Sequence, residues 1–157
     1  MNIKLIVVGK TDISYVGQGI DDYVARLKHY TPFEIITIPT LKNAGTLSVE
    51  EVKEREGQLI MKQLEKADVV VLLDEHGKEL SSVGFSEYLQ KQMNAGIRTL
   101  AFVIGGAFGF SPTVYKAANG MISLSLMTFN HQMVRLFFIE QLYRAHTILR
   151  HEKYHNA

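Results

Sequence analysis

The stretch TLAFVIGGAFGFSP, residues 99–112, contains a strand, a glycine turn and the start of a helix in direct succession. Residues 99–104 are an apolar run of strand length, which predicts a β-strand. Three glycines follow within five residues, at positions suited to a tight turn or to close backbone approach by a ligand. Ser111 and Pro112 then have the residue types of a helix N-cap and first helical position. The stretch therefore predicts one strand–turn–helix unit of an α/β sheet.

The same alternation of strands and helices runs along the whole chain. The predicted strands cover residues 3–8, 33–38, 68–73, 99–104 and 121–124. The predicted helices cover residues 15–27, 48–66, 83–93, 112–119 and 131–149. Ser48 with Glu51 forms a capping-box pattern at the second helix start. The strand at 68–73 is almost entirely apolar and β-branched, as expected of a strand buried on both faces. Residues 1–157 are therefore predicted to form a single-domain α/β/α sandwich with a mainly parallel sheet.

Composition excludes several classes of protein. The chain has no cysteine, which removes disulfides, iron–sulfur clusters and a cysteine nucleophile. Its net charge of +1 gives no overall field that would attract nucleic acid, although basic residues and four histidines gather in residues 130–157. The apolar run at the N-terminus is too short for a signal peptide or a membrane span. We expect a cytoplasmic protein that does not bind membranes.

The last predicted helix is apolar on nearly all sides. Such a helix must be buried on nearly all sides, which is easier at the edge of a small domain if a second subunit covers it. We therefore expect a homodimer. The alternative is deep burial of this helix within a single chain.

Three strand ends could carry a site, because ligands of open α/β sheets bind beyond the carboxyl ends of the strands. They are residues 72–78, 105–109 and 123–129. The glycines do not follow the dinucleotide-binding pattern, and no Walker A sequence or nucleophile elbow is present. His151 and His155 are four residues apart, but Lys153 lies between them, so we expect no metal site. Any single glycine can also be explained as a turn without a ligand.

Two features near the C-terminus could act on a substrate. Arg144 lies one helical turn after Glu140, so an intrahelical ion pair is one interpretation. The other is that its planar guanidinium binds an anion or a carbonyl. Tyr154 and His155 lie where a chain end is usually disordered. An aromatic ring and an imidazole are useful there if the tail is held over a site, where the ring stacks on a base and the histidine moves protons.

Three motifs resemble one known family. They are Phe102-Val103-Ile104-Gly105-Gly106, Met127-Thr128-Phe129-x-His131-Gln132-Met133-x-Arg135 and Glu140-Gln141-x-Tyr143-Arg144-Ala145. Their order and spacing resemble the SPOUT class of knotted methyltransferases over essentially the whole chain. Within that class, the chain is most similar to the small bacterial enzymes that methylate N3 of a pseudouridine in 23S rRNA.

The resemblance implies a C-terminal trefoil knot, an obligate homodimer and a site for S-adenosylmethionine. It implies that three loops bind this cofactor, through Leu73, Gly105, Leu124, Ser125, Leu126, Met127, Thr128 and Phe129. It also implies that the tail of one subunit completes the site of the other, and that the substrate is 23S rRNA in the assembled ribosome. No metal is implied.

The chain departs from the family pattern at two places. Asn130 stands where the family commonly has proline, and we expect little change because asparagine adopts similar turns. After His155 the chain ends in Asn156 and Ala157, where the family often has a basic residue. The loss of this possible phosphate contact is expected to affect substrate affinity and not chemistry.

The family chemistry suggests roles for three residues. N3 of pseudouridine carries a proton at neutral pH, so a base, or a cation that stabilises the deprotonated ring, should help. We hypothesise that Arg144 stabilises negative charge or binds a phosphate, that His155 accepts the proton, and that Tyr154 stacks on or positions the base. Alternatively, proximity and orientation alone supply the rate. Two other functions stay open: a non-catalytic RNA- or ribosome-binding module, and a SPOUT methyltransferase with another RNA target.

Overall fold

Five strands form one sheet in the computed structural model, which describes residues 1–156. The strands are β1 (Asn2–Val8), β2 (Phe33–Ile38), β3 (Val69–Glu79), β4 (Thr99–Ile104) and β5 (Gly120–Ser123). Their order across the sheet is β2-β1-β4-β3-β5, and every neighbouring pair is parallel. All carboxyl ends therefore lie along one edge, where a ligand site is expected.

Helices cover both faces of this sheet. They are α1 (Ser14–Leu27), α2 (Val49–Leu64), α3 (Ser82–Asn94), α4 (Pro112–Ala117) and α5 (Met133–Leu149), with a short 3-10 helix at Ala44–Thr46. One apolar core joins α1, α3 and α5 to the sheet, and a second joins α2 and α4 to its other face. The predicted α/β/α sandwich is confirmed. The trefoil knot stays a prediction.

The predicted helix starts are formed by the expected side chains. Ser48 Oγ accepts a hydrogen bond from the backbone nitrogen of Glu51 at 3.1 Å, and the Glu51 carboxylate accepts one from the Ser48 nitrogen at 3.3 Å. Both bonds of the capping box are therefore present. Ser111 caps α4 in the same way through the nitrogen of Val114, with Pro112 in the first turn.

The predicted end of the third strand, at Leu73, is wrong. Leu73 pairs with Ile122 of β5, and Lys78 then pairs with the same residue, so residues 74–77 bulge out of the strand between these two pairings. Gly77 makes the bulge possible, because a Cβ there would lie 2.6 Å from the backbone nitrogen of Ile122. The bulge is held at both ends by the sheet.

The last helix starts two residues later than predicted. The side-chain oxygen of Asn130 accepts hydrogen bonds from the nitrogens of Gln132 at 2.9 Å and of Met133 at 3.4 Å. Asn130 therefore stabilises the turn before α5, whereas the N-cap residue itself, Gln132, makes no side-chain capping bond.

Helix α5 is covered mainly by its own chain. It packs between α1 and α3 against the sheet, and Phe138 and Leu142 are completely buried. The ring of Phe138 lies 4.7 Å from the ring of Phe102 in β4. In this fully described helix only Phe137 stays exposed among the large apolar side chains. Burial within a single chain thus explains most of the apolar pattern that suggested a dimer.

Buried polar contacts join α5 to the end of the first strand. Arg135, which is only 2% exposed, donates hydrogen bonds to the carbonyl oxygens of Val8 at 2.7 Å and Gly9 at 2.9 Å. The side-chain oxygen of Gln132 accepts bonds from the backbone nitrogens of Asp12 and Ile13. The loop after β1 is therefore fixed to the start of α5.

Candidate active site

A cavity of about 550 Å³ opens at the bulge of β3 and at the carboxyl ends of β4 and β5. Its volume lies within the range of small-molecule and cofactor sites. Seven of the eight residues predicted to bind a cofactor line it: Leu73, Gly105, Leu124, Ser125, Met127, Thr128 and Phe129. Leu126 does not line the cavity, and its side chain is 78% exposed. The three strand ends identified from the sequence therefore meet in one place.

Local hydrogen bonds shape the loop after β5. Ser123 Oγ donates to the carbonyl oxygen of Ser125 at 2.9 Å, and Ser125 Oγ accepts from the nitrogen of Met127 at 2.9 Å. These bonds hold a tight turn that leaves Leu126 and Met127 exposed on its outer side. Two adjacent exposed apolar side chains at the mouth of a cavity favour contact with another molecule.

The glycine turn after β4 forms a wall of the cavity that is mostly backbone. A Cβ at Gly105 would lie 3.1 Å from the ring of Phe110, tighter than an ordinary contact. Gly109 has a φ of +82°, a conformation that side-chain-bearing residues rarely adopt. The Gly109 nitrogen donates to the Gly106 carbonyl at 3.1 Å and closes the turn. A ligand in the cavity can thus approach the main chain closely.

A second wall is acidic, and its residues were not assigned a role from the sequence. Asp74, at the start of the β3 bulge, accepts hydrogen bonds from the hydroxyl of Tyr115 at 2.6 Å and from both the backbone and Nδ1 of His76 at 2.9 Å. Burial alone would raise the pKa of Asp74, but these hydrogen bonds outweigh it and lower that pKa. Burial and the bond to Asp74 raise the pKa of Tyr115 to about 12. At neutral pH the wall therefore carries an ionised carboxylate and a neutral hydroxyl donor.

Glu75 adds another carboxylate to the same wall. It accepts a long hydrogen bond of 3.4 Å from the hydroxyl of Thr128, across the cavity from the bulge. Two acidic residues directly after an apolar strand were a visible signal for this wall. The hydrogen-bond partner Tyr115 was not visible, because it comes from α4, 41 residues later.

The three residues predicted to act on the substrate lie together. Arg144 donates to Glu140 Oε1 from Nη2 at 2.6 Å and from Nε at 3.1 Å, so the expected intrahelical ion pair is present. Tyr154 donates to the same Oε1 at 3.0 Å. Arg144 Nη1 lies 3.0 Å from Nδ1 of His155. Because a guanidinium only donates, Nδ1 accepts, and the proton of the neutral imidazole lies on Nε2.

The tail is held in place by residues of α1 and the loop that follows it. The hydroxyls of Tyr154 and Tyr23 are 2.9 Å apart, and the Tyr30 hydroxyl donates to Glu152 at 2.6 Å. Burial, the hydrogen bond with Tyr23 and the hydrogen bond that Tyr154 donates to Glu140 raise the pKa of Tyr154. The tail is therefore fixed along α1 and α5 up to His155, whereas Ala157 lies outside the described residues.

The tail cluster and the cavity are separate within one chain. Arg144, Tyr154 and His155 do not line the cavity. Arg144 follows the first residue of α5 by 11 positions, which corresponds to about 16 Å along the helix axis. One chain thus presents two groups of predicted site residues that it does not bring together.

In the part of the chain that the structure describes, residue types and helix lengths bear on metal binding and membrane spanning. Among residues 1–156, no group of three or more potential ligands could hold a metal ion. Over the same range, no helix is long and apolar enough to cross a membrane.

Comparison with known proteins identifies close relatives. Residues 1–155 match the family model described as a predicted SPOUT methyltransferase. The chain is 60% identical over 156 residues to the ribosomal RNA large subunit methyltransferase H of Flavobacterium johnsoniae, covering 99% of each chain. It is 56% identical, with the same coverage, to the protein of that name from Parabacteroides distasonis.

Solved structures share the fold at much lower identity. A probable methyltransferase from Bordetella pertussis superposes with a TM-score of 0.58 at 12% identity, covering 92% of this chain and 95% of that one. A putative RNA methyltransferase from Bacillus anthracis gives a TM-score of 0.52 at 15% identity, covering 93% and 95%. At these identities the similarity concerns the fold.

Proposed function

This chain belongs to the SPOUT methyltransferase family, and from that membership we propose that it methylates N3 of a pseudouridine in 23S rRNA with S-adenosylmethionine as donor. The proposal is supported by relatives that cover 99% of the chain and are named for methylation of large-subunit ribosomal RNA. The observation that carries it is the meeting of three strand-end loops in one cavity of cofactor size. A ribosomal substrate would place the protein in the cytoplasm.

The volume of the cavity and its acidic residues support the proposed cofactor. The glycine turn and residues 124–129 offer main-chain groups to a planar base and a ribose, and Leu73, Ile104 and Phe129 add apolar surface. The carboxylates of Asp74 and Glu75 suit a ligand that carries positive charge. When bound, S-adenosylmethionine supplies a methyl group whose bond to sulfur breaks as the bond to N3 forms, with the electron pair remaining on sulfur.

The tail cluster suits the other half of the reaction. N3 must lose its proton and the ring then carries negative charge, mainly on its carbonyl oxygens. Arg144 supplies a fixed positive charge close to His155, and such preorganised groups stabilise developing charge without moving. Tyr154 places an aromatic ring beside Arg144, whose guanidinium carbon lies 4.7 Å from the ring centre.

The hydrogen bond between Arg144 and His155 restricts the role of the histidine. With Nδ1 accepting from Arg144, the free Nε2 carries a proton and can only donate, for example to a carbonyl oxygen of the base. His155 can accept the N3 proton only after this contact breaks. Replacement by asparagine, which keeps a donor, separates the two roles. If H155N retains turnover and H155A loses it, the histidine donates; if both lose it, the histidine accepts the proton.

We further propose that the active site is shared between two copies of the chain. The separation of the tail cluster from the cavity supports this, since a partner's tail would supply the missing residues. Leu126 and Met127, 78% and 76% exposed, and Phe137 nearby in the sequence offer apolar surface for the contact. Mixing R144A with a cavity variant such as G105W tests it. Restored activity in the mixture supports a shared site, and its absence, with both variants dimeric, contradicts it.

One assay tests the proposed function directly. The protein is incubated with S-adenosylmethionine carrying a labelled methyl group and with assembled ribosomes, free 23S rRNA or transfer RNA, and the modified position is mapped by mass spectrometry. Label at N3 of a pseudouridine in ribosomes is expected. Label in transfer RNA would indicate another RNA target, and binding of ribosomes without label or cofactor binding would indicate a non-catalytic module. R98A is a matched control for R144A, because the exposed Arg98 directly precedes β4 and so lies at the opposite edge of the sheet from the cavity.

A further inference from the structure

Apart from its histidines, the cavity is lined by charged side chains of one sign only. Asp74 and Glu75 both line it, and among residues 1–156 no lysine or arginine does. Its other titratable side chains are His76, Tyr115 and His131. A site with this charge attracts cations and repels phosphates. That is unexpected beside a substrate that is a polyanion, and it indicates that the acidic wall acts on a different ligand.

The two carboxylates differ in their surroundings. The side chain of Asp74 is 9% exposed, and both its oxygens accept hydrogen bonds, from Tyr115 and from His76. The side chain of Glu75 is 57% exposed. Because water screens an exposed charge much more than a buried one, Asp74 has the stronger influence on a ligand in the cavity. Its orientation is also fixed before any ligand arrives.

We propose that Asp74, assisted by Glu75, makes the cavity discriminate between the sulfonium form of the cofactor and its neutral thioether product. The inference rests on the proposed function. When the methyl group leaves, the bonding pair stays on sulfur and the sulfur loses its positive charge. The attraction to Asp74 is then lost, while the contacts to the rest of the molecule persist. The acidic wall thus favours binding of the donor and release of the product.

Two ligands isolate this effect. S-adenosylmethionine and S-adenosylhomocysteine share the base, ribose, α-ammonium and α-carboxylate, and they differ in the methyl group and the charge on sulfur. Titration calorimetry with both ligands on the full chain gives the ratio of their dissociation constants. D74N keeps the size and most hydrogen-bonding capacity of the side chain while removing its charge. We expect D74N to weaken binding of the sulfonium about tenfold and of the thioether less than twofold.

Three further variants sharpen the test. E75Q should weaken binding of the sulfonium only about twofold, because water screens the charge of the exposed Glu75 carboxylate. Y115F should preserve the ratio, because the carboxylate keeps its charge. E79Q is the matched control, since Glu79 belongs to the same strand but does not line the cavity. It should change the dissociation constant of neither ligand.

If D74N weakens the binding of both ligands equally, or of neither, the inference is overturned and the proposed function still stands. A wild-type protein that binds neither ligand at millimolar concentration would refute the cofactor proposal and this inference with it. Melting curves establish that D74N is folded. If it is not, the ratio in E75Q decides, and an unchanged ratio there contradicts the proposal.

Discussion

Glu140 does not line the cavity, but it is predicted to control activity by positioning Arg144 and Tyr154. Its Oε1 accepts three hydrogen bonds, two from Arg144 and one from Tyr154, and so connects the helix to the tail. The replacement E140Q keeps the shape and one carbonyl oxygen but removes the charge. Arg144 then loses its anionic partner, and Tyr154 loses a charge-assisted bond.

The size of the effect follows from burial. The side chains of Arg144 and Glu140 are 23% and 19% exposed, so the pair lies between a surface ion pair and a buried one. Loss of the charge should lower the free energy of unfolding by about 1–2 kcal/mol, which for a chain of this length lowers Tm by roughly 2–8 °C. Because Arg144 and Tyr154 would be held less firmly, we expect kcat for ribosomal RNA to fall at least about tenfold.

Three measurements test this reasoning: thermal unfolding, cofactor affinity by calorimetry, and turnover on ribosomes. Cofactor affinity should stay within about twofold of wild type, because Glu140 does not line the cavity. The matched control is E34Q, which breaks the ion pair between Lys4 of β1 and Glu34 of β2. It should leave turnover unchanged. Wild-type kcat in E140Q, together with the expected fall in Tm, would refute a positioning role for this carboxylate.

Three further predictions concern folding. Denaturant titration measures the free energy of unfolding of each variant. G77A should lower it by more than about 2 kcal/mol and abolish cofactor binding, because the new Cβ would meet the backbone of Ile122. G17A has open space around its Cβ in α1 and should raise the free energy of unfolding by about 0.5–1 kcal/mol. S48A should lower it by about 1 kcal/mol through loss of the capping box, measured in the same way. Burial lowers the pKa of His146 below its ordinary value. As the pH falls below about 6.5, the unfolded chain therefore binds more protons at this residue than the folded chain does. The free energy of unfolding is then lower in acid than at neutral pH. Melting curves of wild type and H146Q between pH 7 and pH 5 should show a smaller fall in the variant, and parallel curves would contradict this.

The alternation of elements was predictable because it depends on local signals. Each strand and helix has its own periodicity, and Ser48, Ser111 and Pro112 are read from short-range residue preferences. The strand ends that carry the cavity followed from the general position of ligands in parallel sheets. The resemblance supplied the particular residues Leu73 and Gly105.

Features that depend on distant partners were not predictable from local patterns. The β3 bulge exists because Ile122 pairs twice with a strand some 45 residues earlier. Likewise, the tail is ordered because Tyr154 meets Tyr23 across 131 residues of sequence. The apolar sequence of α5 is explained both by burial against a second subunit and by burial within its own chain. The packing of α1 and α3 against α5 shows that its own chain buries most of the helix.

The bonds from Arg135 to Val8 and Gly9 have a consequence for the order in which the molecule can form. The first strand leaves the ribosome early in synthesis, but the group that satisfies the carbonyls at its end is translated 126 residues after Gly9. Until then the carbonyl oxygens of Val8 and Gly9 lack the guanidinium of Arg135 as a donor, and the loop after β1 lacks its contacts to α5. Final closure of the domain must therefore follow translation of Arg135. A nascent chain that stops before this residue should be sensitive to protease within residues 9–13.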